Sequence, residues 1–298
     1  MAQQKIELRK IRDFGENISD SLQFIRQEFK PLLTCFIAFA GIFLLAYGIY
    51  NGLYQSHFWR AFLHQTSADT SESFQRFNRD SFAKNLLLNY IVLFFFVTLN
   101  YTAMSMSIAS YFKVYDIKQN GPPTLEEVWQ YFKKYFLKAY LYALILSLLV
   151  ILGCLFCLLP GIYFWVILAP FNMVLVMEDF SFSAAFNKCF RMIKDNFWQS
   201  LGIYFIAYLI YAFSGGIIGL IIGAITGVGS YLTTKNVSQT AGLVSGILGV
   251  TSHLFYLVFF TCIGFNYFSL TEKTDAEGLM RKIENMGNDT ETTTEEQY

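Results

Sequence analysis

Charge is scarce in this sequence. Charged side chains make up 15% of the 298 residues, whereas soluble proteins average about 25%. The 22 basic and 22 acidic side chains cancel, and no RNA- or DNA-binding motif occurs, so binding to nucleic acid is not expected. Hydrophobic residues, at 54%, take the place of the missing charge. The composition is therefore typical of a membrane protein.

Catalytic and metal-binding motifs are lacking as well. His57 and His64 fit no metal-binding spacing, and Cys154 and Cys157 match a zinc spacing but lie in an apolar run without a second pair. The five cysteines are an odd number and predict no disulfide framework. No Ser/His/Asp set, phosphate-binding glycine loop or metalloprotease helix occurs. We expect no metal, no cofactor and no enzymatic activity.

The longest uncharged run predicts a helical hairpin. No Asp, Glu, Lys, Arg or His occurs from Ala139 to Met177. One straight helix of this length would measure roughly 58 Å, at about 1.5 Å per residue, nearly twice the ~30 Å hydrocarbon core of a bilayer. The run must therefore fold back. Pro160 lacks a backbone donor and Gly161 tolerates unusual dihedrals, so these two residues are the predicted hairpin turn.

The other apolar runs complete the predicted fold, which is all-α. We expect a polytopic membrane protein with six transmembrane helices and three cytoplasmic amphipathic helices at the membrane interface. The predicted membrane domain covers residues 1–273, with spans at 32–54, 85–111, 139–158, 162–180, 198–222 and 250–270. A short helix with a capping pair, Thr274 and Glu277, and a disordered acidic tail are predicted for 274–298.

Amphipathic segments precede the first, third and fifth spans. The first lies between Ile18 and Leu32, and the second starts at a capping box formed by Thr124 and Glu127. The third starts at Ser181 or Ser183. The last two segments carry the candidate ligands for anionic lipid head groups, each worth about 1 kcal/mol near such a surface: Lys133, Lys134, Lys138, Lys188, Arg191 and Lys194. The alternative is that these charges only set the topology.

Basic residues outside the spans are concentrated on the side of the N-terminus. The positive-inside rule then predicts that both termini are cytoplasmic. A surface helix followed by two spans occurs three times along the chain. Either an internal duplication or convergent patterning explains this repetition.

Small residues predict where helices meet. Thr98, Thr102, Ser105 and Ala109 form a small, partly polar stripe on the second span, expected to face other helices. In the fifth span, a second stripe predicts a groove for a neighbouring helix; its members are Gly215, Gly219, Gly223 and Gly227. A re-entrant segment or a loose loop are the alternatives there, because glycine weakens helices.

Ionisable side chains are almost missing from the apolar runs, where His253 stands alone. Intramembrane acids and bases mark proton relays and ion pathways. Their scarcity argues against a proton-coupled transporter or a pump for charged substrates. A passive path for a neutral solute is still compatible with the sequence.

The hairpin and the segment after it resemble a known group. The motifs are Leu159-Pro160-Gly161-Ile162-Tyr163, Glu178, Ser183-Ala184-Ala185-Phe186 and Lys194-Asp195-Asn196-Phe197-Trp198. They resemble uncharacterised bacterial integral membrane proteins related to the membrane domain of glycerophosphodiester phosphodiesterases, over about 124–211. The resemblance implies a six-helix protein of the bacterial plasma (inner) membrane. In that phosphodiesterase the catalytic part is a separate soluble barrel, for which this chain has no room, so no catalytic residue is carried over.

The sequence thus predicts a non-enzymatic inner-membrane protein that contacts the lipid bilayer. Its expected role is to bind or organise lipids, anionic phospholipids among them, or membrane partners, a second copy of the chain included. The alternative is a transporter or channel for a neutral or amphiphilic solute. An enclosed polar cavity at mid-membrane would favour transport, whereas a packed bundle would favour the first role.

Overall fold

The apolar runs fold into long helices that pack side by side. The structure is a computed structural model, and it describes residues 6–67, 79–118, 121–233, 246 and 250–275, with side chains described outside 54–86 and 222–245. Its helices are α1 (Phe14–Gln27), α2 (Phe29–Ser67), α3 (Arg79–Ile117), α4 (Leu125–Phe156), α5 (Leu158–Leu168), α6 (Phe171–Glu178), α7 (Phe182–Lys194), α8 (Phe197–Thr233) and α9 (Tyr256–Asp275).

Six segments are long and apolar enough to cross a membrane. They are Phe29–Leu53, Leu87–Ile117, Leu125–Phe156, Leu158–Glu178, Phe197–Ile221 and Val250–Asp275. Backbone groups have no water to bond in a bilayer core, and a continuous helix satisfies them internally. The prediction of an all-α polytopic membrane protein is confirmed.

The hairpin between the third and fourth spans turns earlier than predicted. α4 ends at Phe156, Cys157 is extended (φ −168°, ψ 142°), and α5 begins at Leu158. Pro160 therefore lies in the first turn of α5, where its missing N–H leaves no hydrogen bond unmade. The prediction that Pro160 and Gly161 form the turn is wrong, because both residues are already helical.

Gly161 serves close packing instead of the turn. A Cβ at this position would lie 2.8 Å from the backbone nitrogen of Cys154 and 2.9 Å from its Cα. On the facing helix, a Cβ at Gly153 would lie 3.1 Å from the Cα of Gly161. Small residues allow such backbone contact between membrane helices. The two arms of the hairpin are thus joined by a glycine pair just inside the turn.

The fourth span is broken at its middle, which the sequence reading missed. α5 ends at Leu168, Ala169 and Pro170 form a turn, and α6 begins at Phe171. Proline cannot donate the helical hydrogen bond, and here its carbonyl accepts the first bond of α6, from the N–H of Val174 at 3.0 Å. The break lies in the buried part of this span, because residues 166–177 are all buried.

Two of the three amphipathic segments are separate helices, α1 and α7, and the second is not. The capping box is formed as predicted, since Thr124 N–H donates to Glu127 Oε2 at 2.8 Å and the box is complete. From there α4 runs without interruption to Phe156. The second amphipathic segment is therefore the beginning of the third span.

α1 packs its apolar face on protein. Phe24 is fully buried; its ring stacks on Phe112 at 5.2 Å between centroids and meets Phe265 edge-on at 5.4 Å. These two partners belong to α3 and α9. The prediction that this helix simply lies on the membrane surface was incomplete. The helical spacing of the apolar residues predicts that they are buried, but it does not say whether lipid or protein buries them.

The sixth span extends further than predicted. α9 continues through Asp275, and Thr274 Oγ1 donates to the carbonyl of Leu270 at 2.5 Å, a bond inside a helix. The predicted helix start at Thr274 is wrong for this reason. Its partner Glu277 and the predicted tail lie outside the described residues.

The glycine groove of the fifth span is only partly described. Gly215 is buried, and a Cβ there would lie 3.0 Å from Cβ of Ser252, whereas a Cβ at Gly219 would meet nothing within 4 Å. Gly223 and Gly227 belong to the α8 backbone, but their surroundings lie outside the described side chains. Another close approach occurs between Gly48 and Gly246, where a Cβ at Gly246 would lie 2.7 Å from the Gly48 carbonyl oxygen.

Candidate functional site

Ion pairs join distant helices at one end of the bundle, which we call the charged end: Arg9, Asp116, Glu178, Lys188 and Asp275. Arg9 donates to both carboxylate oxygens of Asp116, at 2.9 and 3.2 Å, a geometry that fits a guanidinium well. Lys188 Nζ lies 3.4 Å from Glu178 Oε1 and also contacts Asp275 Oδ2. These contacts tie α7 to the end of α6 and to the end of α9.

The segment before α1 is anchored by Arg12. Its side chain is buried, bonds Asp20 at 2.8 Å, and lies with its guanidinium 4.8 Å from the ring centre of Phe265. Its backbone N–H donates to Ser269 Oγ at 2.9 Å. A buried arginine is tolerated only where its donors are satisfied, and this one has partners on both sides. At the charged end, ion pairs and hydrogen bonds thus hold the N-terminal segment and the helix ends together.

Among the predicted head-group ligands, Lys188 is misassigned. It is 6% exposed and pairs with two carboxylates, so it has no free face for a lipid head group. The physical reason is that the end of α9 covers the side of α7 that helical periodicity assigns to solvent.

The other candidate cations lie on the surface. Lys133, Lys138 and Lys194 are exposed. Lys134 is 56% exposed and pairs with Asp179 at 2.9 Å, and Arg191 is 64% exposed and donates to Asp275 at 3.3 Å. These five side chains are spread over α4 and α7 and do not converge on one point.

Two ionisable groups outside the spans have pKa values that differ from the ordinary ones. The hydrogen bond from Lys134 holds the pKa of Asp179 below its usual value. Burial raises the pKa of the Cys189 thiol, so that it stays protonated and unreactive. Neither group is set to exchange a proton near neutral pH.

A cleft of about 270 Å³ lies in the middle of the membrane-spanning region, between α3, α4, α5 and α6. Its lining is mostly apolar, with a few uncharged polar groups. The lining includes Val97, Thr98, Tyr101, Ser147, Trp165 and Asn172. Ligand pockets usually measure ~300–1,000 Å³, so this cleft has room for one narrow ligand.

The cleft opens on the outside of the bundle. Val97 and Ile151, which line it from α3 and α4, are 46% and 43% exposed. Toward the charged end, the same face of α4 is covered by a ring contact: Phe43 packs on Phe136 at 5.2 Å between centroids. Phe136 is two helical turns from Ala143, on the same face of α4 that lines the cleft. A path along this face of α4 toward the charged end would therefore meet the Phe43–Phe136 pair.

A buried polar side chain of the cleft, Asn172, lies just after the break in the fourth span. Asn172 follows Pro170 by two residues, is 7% exposed, and donates from Nδ2 to Ser105 Oγ at 3.0 Å. Ser105 belongs to the small-residue stripe of α3, which faces other helices as predicted, since Thr102 and Ala109 are fully buried. Asn172 itself was missed, although a polar amide inside an apolar run is a signal for a position that faces another helix.

The remaining sequence candidates give no second site. His253 packs between the rings of Tyr47 and Tyr256, at 5.1 and 5.5 Å between centroids. His57 and His64 lie outside the described side chains. Within the part of the chain that the structure describes, no group of three or more His, Cys, Asp or Glu side chains could hold a metal ion.

Comparisons with known proteins add no relative. No family model matches the chain, no curated protein matches it, and no solved structure matches its fold. The function must therefore be argued from the geometry of the bundle.

Proposed function

We propose that this chain is a non-enzymatic, multi-pass protein of a bacterial inner membrane that binds lipid, holding an acyl chain in the mid-membrane cleft. The observation that supports the proposal best is the cleft itself, a pocket between spans that is mostly apolar and open at Val97 and Ile151. A pocket that opens on the bilayer side of a membrane bundle is in direct contact with lipid chains. No charged side chain lines it.

The surface cations fit the same role. We place the charged end and both termini in the cytoplasm, following the distribution of basic residues. Lys133, Lys138 and Lys194 then lie near the cytoplasmic leaflet, where each adds about 1 kcal/mol of attraction to anionic phospholipids. These charges hold lipid near the bundle, and the cleft supplies the specific contact.

The resemblance to the membrane domain of glycerophosphodiester phosphodiesterases belongs to this proposal too. Two of its motifs, 159–163 and 194–198, lie at the start of α5 and around the start of α8. They support a shared membrane scaffold and no shared chemistry. A membrane-protein partner, or a second copy of the chain, would bind through the lipid-facing helices.

The alternative function is transport of a neutral or amphiphilic solute. The break at Pro170 favours it, because transporters place their binding sites at discontinuous helices near mid-membrane. The ring contact between Phe43 and Phe136 opposes it, since a solute would have to displace this pair to leave toward the charged end. Flux into proteoliposomes, compared between the wild type and Phe136→Ala, separates the two roles: measurable wild-type flux would favour transport.

Photo-crosslinking tests the lipid site. A phospholipid that carries a diazirine near the middle of one acyl chain should label peptides from α4 and α6 that line the cleft. Ala143→Trp should fill the cleft and reduce this labelling several-fold. The matched control is Leu148→Trp, because Leu148 is 52% exposed on α4 and does not line the cleft. Equal labelling of the wild type and both variants would overturn the proposal.

A further inference from the structure

The polar atoms of the cleft indicate the class of its ligand. We propose that the cleft selects a neutral single-chain amphiphile that carries a hydroxyl group, the class of the long-chain alcohols, in preference to a purely apolar chain or an ionised one. This inference rests on the proposed function, namely that the cleft holds an apolar chain.

Asn172 supplies the first contact. Its amide nitrogen donates one hydrogen bond, to Ser105 Oγ, while its amide oxygen accepts no hydrogen bond from the described residues. The side chain is more than nine-tenths buried and lines the cleft. An acceptor that faces an apolar cleft without a donor costs free energy, and in a lipid phase no water compensates for it. A ligand that brings a donor to this oxygen is therefore favoured over one that brings none.

Two side chains of α3 that carry hydroxyl groups, Thr98 and Tyr101, line the same cleft. Thr98 is 7% exposed, and neither its hydroxyl nor that of Tyr101 forms a hydrogen bond with any described residue. Thr98 and Tyr101 are three residues apart, on one side of α3, and both line the cleft. Ser105, the partner of Asn172, lies one turn beyond Tyr101 on the same helix. The residues that carry one acceptor and two hydroxyls thus line the same cleft.

These three groups fit a hydroxyl better than other polar groups. An alcohol can donate to the Asn172 oxygen and accept from Thr98 or Tyr101 at the same time. A carbonyl group can only accept, so it would leave the Asn172 oxygen without a donor. An ionised carboxylate or phosphate would face no cation, because the lining contains no charged side chain, and burial of an unpaired charge is prohibitive.

Trp165 offers a built-in reporter, since it lines the cleft and is one of four tryptophans in the chain. In a background with Trp59, Trp129 and Trp198 changed to Phe, and a melting temperature equal to that of the wild type, fluorescence comes from Trp165 alone. The full chain in detergent is then titrated with three brominated quenchers of equal chain length: an alcohol, an alkane and a fatty-acid anion.

We expect the alcohol to quench Trp165 at roughly tenfold lower concentration than the alkane, the effect of about one net hydrogen bond. The fatty-acid anion should quench least. Thr98→Val keeps the shape of the side chain and should reduce the preference for the alcohol, and Asn172→Leu should abolish it. Thr102→Val, the same change one turn along α3 and outside the cleft lining, should leave the preference intact.

The outcomes separate the two proposals. Equal quenching by alcohol and alkane would overturn the hydroxyl selectivity but support the chain-binding cleft. A preference that survives in both Thr98→Val and Asn172→Leu would also overturn it, as would quenching by the anion as strong as that by the alcohol. No quenching of Trp165 by any of the three would overturn the proposed function itself.

Discussion

The sixth and third spans are both long apolar helices, yet they occupy opposite environments. In the sixth span, 78% of the most apolar window is buried inside the protein, against 17% in the third. α9 packs mainly against α1, α3 and α8, whereas α4 packs mainly on α3 and α5, with smaller contacts to α2 and α6. Hydropathy ranks them in the reverse order, since the third span is the more hydrophobic. In a bilayer the most hydrophobic helix belongs at the periphery, because lipid is as apolar as any core.

The buried helix is the more polar one because its polar groups find partners inside the bundle. Asn266 donates to Ser200 at 3.1 Å and to Tyr204 at 2.9 Å, and Tyr267 donates to Glu178 at 2.8 Å. The peripheral helix has apolar side chains in contact with lipid, such as Leu137 and Leu155, which are 67% and 76% exposed. Specific contacts therefore concentrate on α9. α4 is left free to border the cleft.

The largest expected effect is at the ion cluster around the end of α9. Lys188→Gln removes the cation between Glu178 and Asp275, whose side chains are 13% and 23% exposed, and leaves two carboxylates without it. We expect a loss of about 3 kcal/mol in the free energy of unfolding in detergent, because breaking a buried pair leaves the charge of Glu178 uncompensated, whereas Asp275 keeps Arg191. Lys138→Gln, on the exposed side of α4, should change it by less than about 0.5 kcal/mol. Equal losses of stability in Lys188→Gln and Lys138→Gln would contradict the contrast between the buried α9 and the peripheral α4.

An intermediate effect is expected for a methyl group added to α9. A Cβ at Gly264 would lie 2.5 Å from Cε2 of Phe112 and 2.8 Å from Cε of Met173, so Gly264→Ala should cost about 1–3 kcal/mol of stability. Gly219→Ala in α8 enters open space and should be neutral or stabilising by up to about 1 kcal/mol, since alanine favours a helix. A melting series in detergent measures both. A more damaging change at Gly219 would show that the glycine groove is packed after all.

The smallest effect is expected at the pair between α4 and the end of α6. Lys134 and Asp179 are 56% and 58% exposed, so Asp179→Asn should lower stability only slightly, and asparagine keeps the left-handed backbone of this position (φ 53°) without strain. The folded pKa of Asp179 lies below its usual value, so its contribution is present above the usual pKa of an aspartate. It is lost as the pH falls through the lower folded pKa.

The difference in melting temperature between the wild type and Asp179→Asn should therefore vanish in acid. Asp195→Asn, at another exposed aspartate, serves as the control. A difference between wild type and Asp179→Asn that persists at low pH would contradict the ion-pair interpretation.

Local patterns predicted the elements of this bundle well. The uncharged runs predicted all six spans, and Thr124 with Glu127 predicted the start of α4. These features are local, because hydropathy and capping depend on residues within a turn or two of each other. The stripe around Ser105 was predicted for the same reason.

Errors arose where a residue has two uses that the local sequence does not separate. Proline and glycine are compatible with a turn, but Pro160 also suits the first turn of a helix and Gly161 also suits close packing. A lysine off an apolar stripe is compatible with a lipid-facing surface, but Lys188 meets carboxylates from α6 and α9. These partners are distant in sequence, so no window along the chain contains them together.

The sequence by itself determined that this protein is a helical membrane bundle, because only helices that satisfy their own backbone can bury such long uncharged runs in lipid. Tertiary structure alone decided which helix lies at the centre and which at the rim. It also decided that Asn172 enters a cleft between spans with one side of its amide unsatisfied. Hydropathy measures the free energy of transferring a residue from water to an apolar phase, and this free energy is similar whether the phase is lipid or protein. Only the side chains packed against a helix show whether it lies at the centre or at the rim.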